Sequence, residues 1–272
     1  MSKFLSLAVL LAVAAVMPAL HAEDKVLIQI TPEARMRFTR GKAAWSDGVL
    51  KGKLPLSVSF SDQRFKVDPS KIYTLSGEFR LTSGGESKDN MWFGLVCFDE
   101  AGRDISSQTL NRIVPDLVET AETAPKGAKV IVVKGEGLGK WMKFLQTGRV
   151  IAVGAKADRS DLPNFDLLYS LPKGATKRAD GSVEIKLRGA VNTEIPAGTK
   201  LGLHSYGDSL LFTPRGRING EWRTFSGSFA AKPESGVVGF RPTTRSISFG
   251  FFCRDKEGEV EVRNLKLVES ED

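Results

Sequence analysis

The stretch Tyr73–Asp104, YTLSGEFRLTSGGESKDNMWFGLVCFDEAGRD, alternates before it turns. Tyr73, Leu75, Gly77, Phe79 and Leu81 interleave with Thr74, Ser76, Glu78 and Arg80, so one face is apolar and the other polar. That period of two is what a half-buried strand requires. A polar, glycine-containing run from Ser83 to Asn90 then turns the chain into a second strand, where Met91, Phe93, Leu95 and Cys97 share a face. The turn Asp99-Glu100-Ala101-Gly102 closes it. The pattern recurs near the C-terminus. Ile247, Phe249, Phe251 and Cys253 share a face, followed by Asp255-Lys256-Glu257-Gly258 and a strand from Glu259 to Val268. Both strands end in Cys-x-Asp-x-x-Gly, and pairing the two distant hairpins builds a β-sandwich.

Working outward, Lys25 to Phe60 reads as two or three opening strands, with Val26, Ile28 and Ile30 in alternation. Beyond Asp104 the character changes. Val114 to Thr123 reads as a short helix or an extended linker. Lys129 to Lys134, Arg149 to Lys156, Gly181 to Leu187 and Lys200 to Ser205 are short strands separated by Gly and Pro punctuation. Leu210 to Phe212 and Glu221 to Phe229 return to the first pattern. The expected class is all-β, a two-sheet jelly-roll β-sandwich with a small inserted β subdomain. Its expected parts are residues 23–110, an insert at 111–205, and 206–272.

Residues 1–22 read as a signal peptide. Lys3 supplies a short basic start, Phe4 to Val16 an apolar run too short to span a membrane, and Ala19-Leu20-His21-Ala22 a cleavage region. The expected location is therefore secreted, periplasmic or at the cell surface, with no membrane insertion after cleavage. The chain has 272 residues and a formal charge of +7; removal of the leader leaves 38 basic against 32 acidic side chains. The charges are interspersed, without the basic stripe and interleaved aromatics of a nucleic-acid protein. No nucleic-acid partner is expected, whereas an acidic glycan or anionic surface suits the net charge. Two cysteines, Cys97 and Cys253, in an oxidising compartment suggest one disulfide, with two buried thiols as the alternative.

Four segments carry a family resemblance: Tyr73-x-Leu-Ser-Gly-x-Phe-Arg80, Gly94-Leu-Val-x-Phe-Asp99, Trp222-x-Thr-Phe-Ser-Gly227 and Val260-x-Val-x-Asn-Leu-x-Leu267. In this order they resemble carbohydrate-binding modules of the galactose-binding-like jelly-roll type. The resemblance spans about 150 residues in two pieces around the insert and implies a sandwich fold and glycan binding. Arg263 stands where such modules often carry an acid, which weakens carry-over of their structural calcium site. Asp161 to Asp166 and Ile195 to Thr199 are similar to segments of exported bacterial proteins and carry no function with them.

Few residues fit catalysis. His204 is the one histidine outside the leader, and no Gly-x-Ser-x-Gly elbow accompanies it. Glycoside hydrolysis needs two placed carboxylates, and Asp99, Glu100 and Asp104 read instead as turn residues. Gly135 to Lys140 lacks the spacing of a phosphate loop. Asp158, Asp161 and Asp166 cluster oxygen ligands that could suit a structural Ca²⁺, although not in EF-hand spacing; otherwise no cofactor is expected. Trp92 opposes the apolar parity of its strand and is the leading exposed aromatic, with Arg80 and Glu78 on the polar face of the preceding strand. Tyr206 and Trp141 are further ligand-binding candidates, whereas Trp222 reads as sandwich packing.

The function expected is non-catalytic binding of a polysaccharide or other glycan. The alternatives are a structural or adhesive surface protein that binds another cell-surface protein, and a polysaccharide-degrading enzyme. No catalytic residue is assigned.

Overall fold

The computed structural model describes residues 25–29, 35–60, 62–83, 85–207 and 209–271. The expected leader lies outside them. The described chain is an all-β sandwich. One sheet is built around β7 (Lys71–Leu81), with β17 (Arg223–Ala230) on one side and β20 (Glu259–Glu271) on the other. β18 (Val237–Gly239) extends it beyond β17. Beyond β20 lie β4 (Val49–Lys53) with β3 (Ala43–Ser46), and β1 (Lys25–Gln29) on the far half of β20. The other sheet is built around β8 (Trp92–Phe98) and β19 (Ser246–Cys253). β16 (Leu210–Phe212) and β9 (Asp104–Ile105) pair with the free side of β8. β5 (Leu56–Ser59), then β2 (Arg37–Arg40), and separately β6 (Phe65–Lys66) lie beyond β19. The orders β4-β20-β7-β17 and β5-β19-β8-β16 are those of an eight-stranded jelly roll.

The alternation in Tyr73–Leu81 is realised as read: Tyr73, Leu75, Phe79 and Leu81 are buried. Phe79 stands at the centre of the core, edge-on to Phe93 at 5.1 Å, Phe225 at 5.4 Å and Phe251 at 5.5 Å. Three of the four segments that carry the family resemblance, in β17, β7 and β20, are neighbours in one sheet. The opening residues differ from expectation, forming five short strands where two or three were read.

Between β9 and β16 the chain forms a closed antiparallel barrel. Its strands are β10 (Val118–Thr120), β11 (Val130–Lys134), β12 (Val150–Val153), β13 (Leu167–Lys177), β14 (Val183–Leu187) and β15 (Lys200–His204). They run in the order β10-β11-β14-β13-β12-β15. β15 returns beside β12 while β12, β13 and β14 follow as hairpins, which is a Greek key. The barrel has its own apolar interior, including Ile131, Val133, Ile151, Ile185 and Leu203. Helix α2 (Leu138–Leu145), which starts after Gly137 and includes Gly139, contributes Trp141 to it. β13 occupies the interval between Arg149–Lys156 and Gly181–Leu187, where no strand was read, and it contains Pro172 and Gly174. Both sit where its register with β14 shifts, between Ser170 and Ala175, and proline is tolerated at such a break.

The barrel leaves and rejoins the sandwich at one place. β9 and β16 both pair with β8, and the Ser209 hydroxyl donates to the Asp104 carboxylate across the gap. A short helix, α1 (Ser107–Leu110), follows β9 and contacts both β9 and β15.

Candidate functional site

The parity that buries Phe93, Leu95 and Cys97 sends Trp92, Gly94, Val96 and Phe98 to the outer face of the β8 sheet. On β19 the outward set is Ser246, Ser248, Gly250 and Phe252. Phe252 is the cross-strand partner of Trp92, and their rings stack at 5.5 Å and 13°. Phe212 of β16 meets the same indole edge-on at 4.7 Å. The Arg215 guanidinium lies 4.6 Å from the indole centre, and that of Arg254 lies 5.0 Å from the Phe252 ring.

Beyond this aromatic corner the sheet surface sinks. Gly94 and Gly250 are cross-strand partners. A Cβ at Gly94 would stand 2.2 Å from the Leu211 carbonyl oxygen, and one at Gly250 would stand 2.6 Å from that of Val58. Only glycine lets the flanking backbones close in this far. A trough of about 440 Å³, with Gly250 in its lining, crosses the outer face, within the size range of ligand clefts. Phe252 and the hydroxyls of its neighbours Ser57, Ser59 and Thr39 line one part of it, and Asp104 and Ser209 line the part nearest the barrel. An adjoining notch of about 230 Å³ is bounded by Thr39, Arg40, Ser57, Phe252 and Arg254.

Asp104 is the one carboxylate among the described residues lining the trough. Desolvation by its surroundings raises its pKa above the ordinary value, against the lowering pull of Ser209, Arg241 and Arg64.

The expected ligand-binding residues do not gather in one place. Trp92 lies on the outer face of the β8 sheet, half-buried behind Phe252. Arg80 and Glu78 lie on the outer face of the other sheet, because β7 and β8 belong to different layers whose outward faces point apart. There Arg80 is paired with Glu261 at 2.6 Å, and Glu78 with Arg263 at 2.7 Å. Trp222 does not pack the sandwich interior. It is half-buried outside, with the guanidinium of Arg80 at 4.6 Å and that of Arg263 at 4.1 Å from its ring. Glu261 is buried, yet Arg80 and Lys51 overcome its desolvation and hold the carboxyl below its ordinary pKa. This is a closed ion-pair network, with its donors and acceptors committed to each other.

Trp141 is fully buried in the barrel, its indole N–H donating to the Asp116 carbonyl at 3.2 Å, and offers no ligand surface. Tyr206 is exposed near the seam, its ring 6.2 Å from that of Tyr169, away from the residues lining the trough.

The acidic loop is not arranged for calcium. Asp161 Oδ1 accepts from Arg112 Nη2 at 3.1 Å and from the Lys156 amide at 3.0 Å, and Oδ2 accepts from Asn164 Nδ2 at 3.1 Å. With a buried guanidinium on this carboxylate, a cation would be repelled. Asp158 caps its own turn by accepting from the Ser160 amide, and Asp166 is exposed. Among the described residues no three His, Cys, Asp or Glu side chains come together as a metal site would require.

His204 is fully buried at the base of the barrel. Its Nδ1 is 2.8 Å from the Gln108 carbonyl oxygen, so the proton resides on Nδ1. Cys97 and Cys253 are both free and buried, which corrects the expected disulfide. Cys97 faces Ile247 across the β8–β19 ladder and Cys253 faces Leu56 across the β19–β5 ladder.

Sequence reasoning missed Phe252, Ser57, Ser59 and Thr39, and read Arg37 and Arg40 only as part of a short basic cluster, with Arg35 and Lys42, on a solvated surface. The signal for Phe252 was present: it opposes Phe249, Phe251 and Cys253 in parity just as Trp92 opposes Phe93. Arg40 carries no such signal, since β2 pairs with β5 through a bulge between Phe38 and Arg40.

No protein-family model matches the chain, and no curated protein matches it in sequence. Among solved structures, the infectious bursal disease virus VP2 subviral particle aligns over 93% of this chain at 8% identity, with a TM-score of 0.17. The alignment covers 49% of that capsid protein, and a likeness this low carries no argument.

Proposed function

We propose that the chain is an exported, non-catalytic glycan-binding protein that holds a saccharide in the trough on the outer face of the β8 sheet. The observation that carries this reading is the trough itself, which places a half-buried aromatic ring, Phe252, beside hydroxyls from Thr39, Ser57 and Ser59, with Ser57 its direct cross-strand neighbour. A pyranose ring presents an apolar face to stack on an aromatic and a rim of hydroxyls to bond with side chains. Trp92 supports the reading from behind, holding Phe252 in place by stacking. The single acid among the described lining residues supports binding over hydrolysis, which employs a carboxylate pair.

The test is retardation of the protein in native gels cast with a panel of neutral and charged polysaccharides. Retardation by at least one polymer is expected, and it should be lost in Phe252→Ala. The double variant Thr39→Val/Ser57→Ala leaves the core untouched and should weaken retardation, which covers the case in which Phe252→Ala fails to fold. Trp222→Ala, on the opposite sheet, should leave it unchanged. A folded protein retarded by no polymer overturns the reading in favour of a protein partner.

A further inference from the structure

The trough and its notch are lined with positive charge. Arg37 and Arg64 border the trough, and Arg40 and Arg254 border the notch, with Asp104 as the acid among the described lining residues. Asp104 is itself engaged by the Ser209 hydroxyl and lies in the field of Arg241 and Arg64.

The position of Arg40 is built by the fold. In a regular strand, Arg37 and Thr39 would face outward while Phe38 and Arg40 faced the core. Phe38 does pack against the core. At the bulge the register advances by one: Phe38 pairs with Val58, and Arg40 pairs with Ser57. Two residues, Thr39 and Arg40, therefore occupy the space of one, and both border the notch. Such bulges re-aim a side chain. Thr39 Oγ1 donates to Ser57 Oγ at 2.7 Å, which fixes the bulge against β5. Arg37 and Arg40 are exposed, and among the described residues neither guanidinium makes an ion pair or hydrogen bond, although both backbones belong to the β2–β5 ladder. Two guanidiniums thus flank a polar cleft with an aromatic wall, and no carboxylate of the described chain neutralises them.

Resting on the glycan-binding reading, we propose that the saccharide is anionic, its acid group held by Arg37 and Arg40 while a sugar ring stacks on Phe252. A guanidinium suits a planar carboxylate or a sulfate ester through paired N–H donors. The chemistry recognised is an oxyanion on a sugar ring, and the ligand class is a uronate- or sulfate-bearing polysaccharide.

The experiment uses the full protein in gels cast with polygalacturonate, dextran sulfate or uncharged dextran and galactan. The inference expects retardation by an acidic polymer. It expects Arg37→Gln/Arg40→Gln to weaken that retardation about tenfold or more, the loss that follows removal of a charge-assisted hydrogen bond. The two acidic gels distinguish carboxylate from sulfate. Lys126→Gln/Lys129→Gln removes the same charge from exposed positions on the barrel and should leave retardation unchanged. Equal weakening by the two double variants would show diffuse attraction to a basic protein and overturn the inference. Retardation only by neutral polymers, lost in Phe252→Ala, would overturn the anionic assignment and leave the glycan reading standing. Retardation by none of the polymers would overturn both.

Discussion

Cys97 and Cys253 lie on adjacent strands of one sheet, six residues out of register. Cys97 is opposite Ile247, and Cys253 is six positions further along the same strand. At about 3.4 Å per residue the separation is roughly 20 Å, far beyond the limit of about 7 Å between bonded Cα atoms. Burial raises the pKa of both thiols, that of Cys253 to about 11, so neither is a ready nucleophile.

The protein should therefore contain two thiols and owe none of its stability to oxidation. Unfolding in denaturant without reductant, in the presence of iodoacetamide, should add two carbamidomethyl groups by mass. The thermal midpoint should be the same with and without a reducing agent. A mass corresponding to no modification would mean that the strands pair in another register.

Asp161 should be a stability residue of the barrel seam. Its carboxylate and Arg112 form a buried pair, with side-chain exposures of 7% and 1%. Asp161→Ala should cost about 3–5 kcal/mol, the range for leaving a buried charge without its partner. Denaturant titration of the variant against the parent measures this. The same commitment of Asp161 predicts that Ca²⁺ or chelator leaves the melting temperature unchanged. A chelator-induced drop would show that the loop takes up a cation after all.

His204 should make the protein less stable in mild acid. Desolvation by burial lowers its pKa, and Arg112 adds to this, while the Gln108 carbonyl and Asp161 act in the opposite direction. The folded pKa lies below the unfolded one, so the unfolded state binds the proton more readily. The stability that His204 contributes in its neutral form is complete above the unfolded value of about 6.5 and falls as pH drops below it. Denaturant midpoints measured between pH 7.5 and 5 should decline, with a slope of at most one proton from this residue. His204→Asn keeps a donor for the Gln108 carbonyl and does not titrate. It should flatten that decline, and an unchanged decline would assign it to other groups.

What could be read in advance was whatever depends on one strand alone. The inward set of Tyr73, Leu75 and Phe79, and the outward set that includes Trp92, follow from a period of two along a single segment. What could not be read depends on the neighbour. The misalignment of Cys97 and Cys253 requires knowing that residue 97 pairs with 247. The outward turn of Arg40 requires its pairing with Ser57. The separation of Arg80 from Trp92 requires knowing that a β-hairpin-like pair of strands spans two layers instead of one. Tryptophan burial was misjudged in both directions: Trp141 fills a barrel whose closure no local pattern announces, and Trp222 sits outside because two arginines cover it.

The centre of the β7 sheet also sets an order of events during folding. β7 and β20 pair along their length, and Lys71 meets Glu271 across 200 residues of chain. The barrel contains all its own strand pairings between residues 118 and 204. Closing a long loop before its contacts repay the lost entropy makes such pairing slow. The barrel can thus form while the β7 sheet still lacks a central strand, and the backbone edge of β7 that pairs with β20 stays open until β20 arrives. During that interval the exposed edge of β7 is the segment of this chain most open to pairing with a second copy.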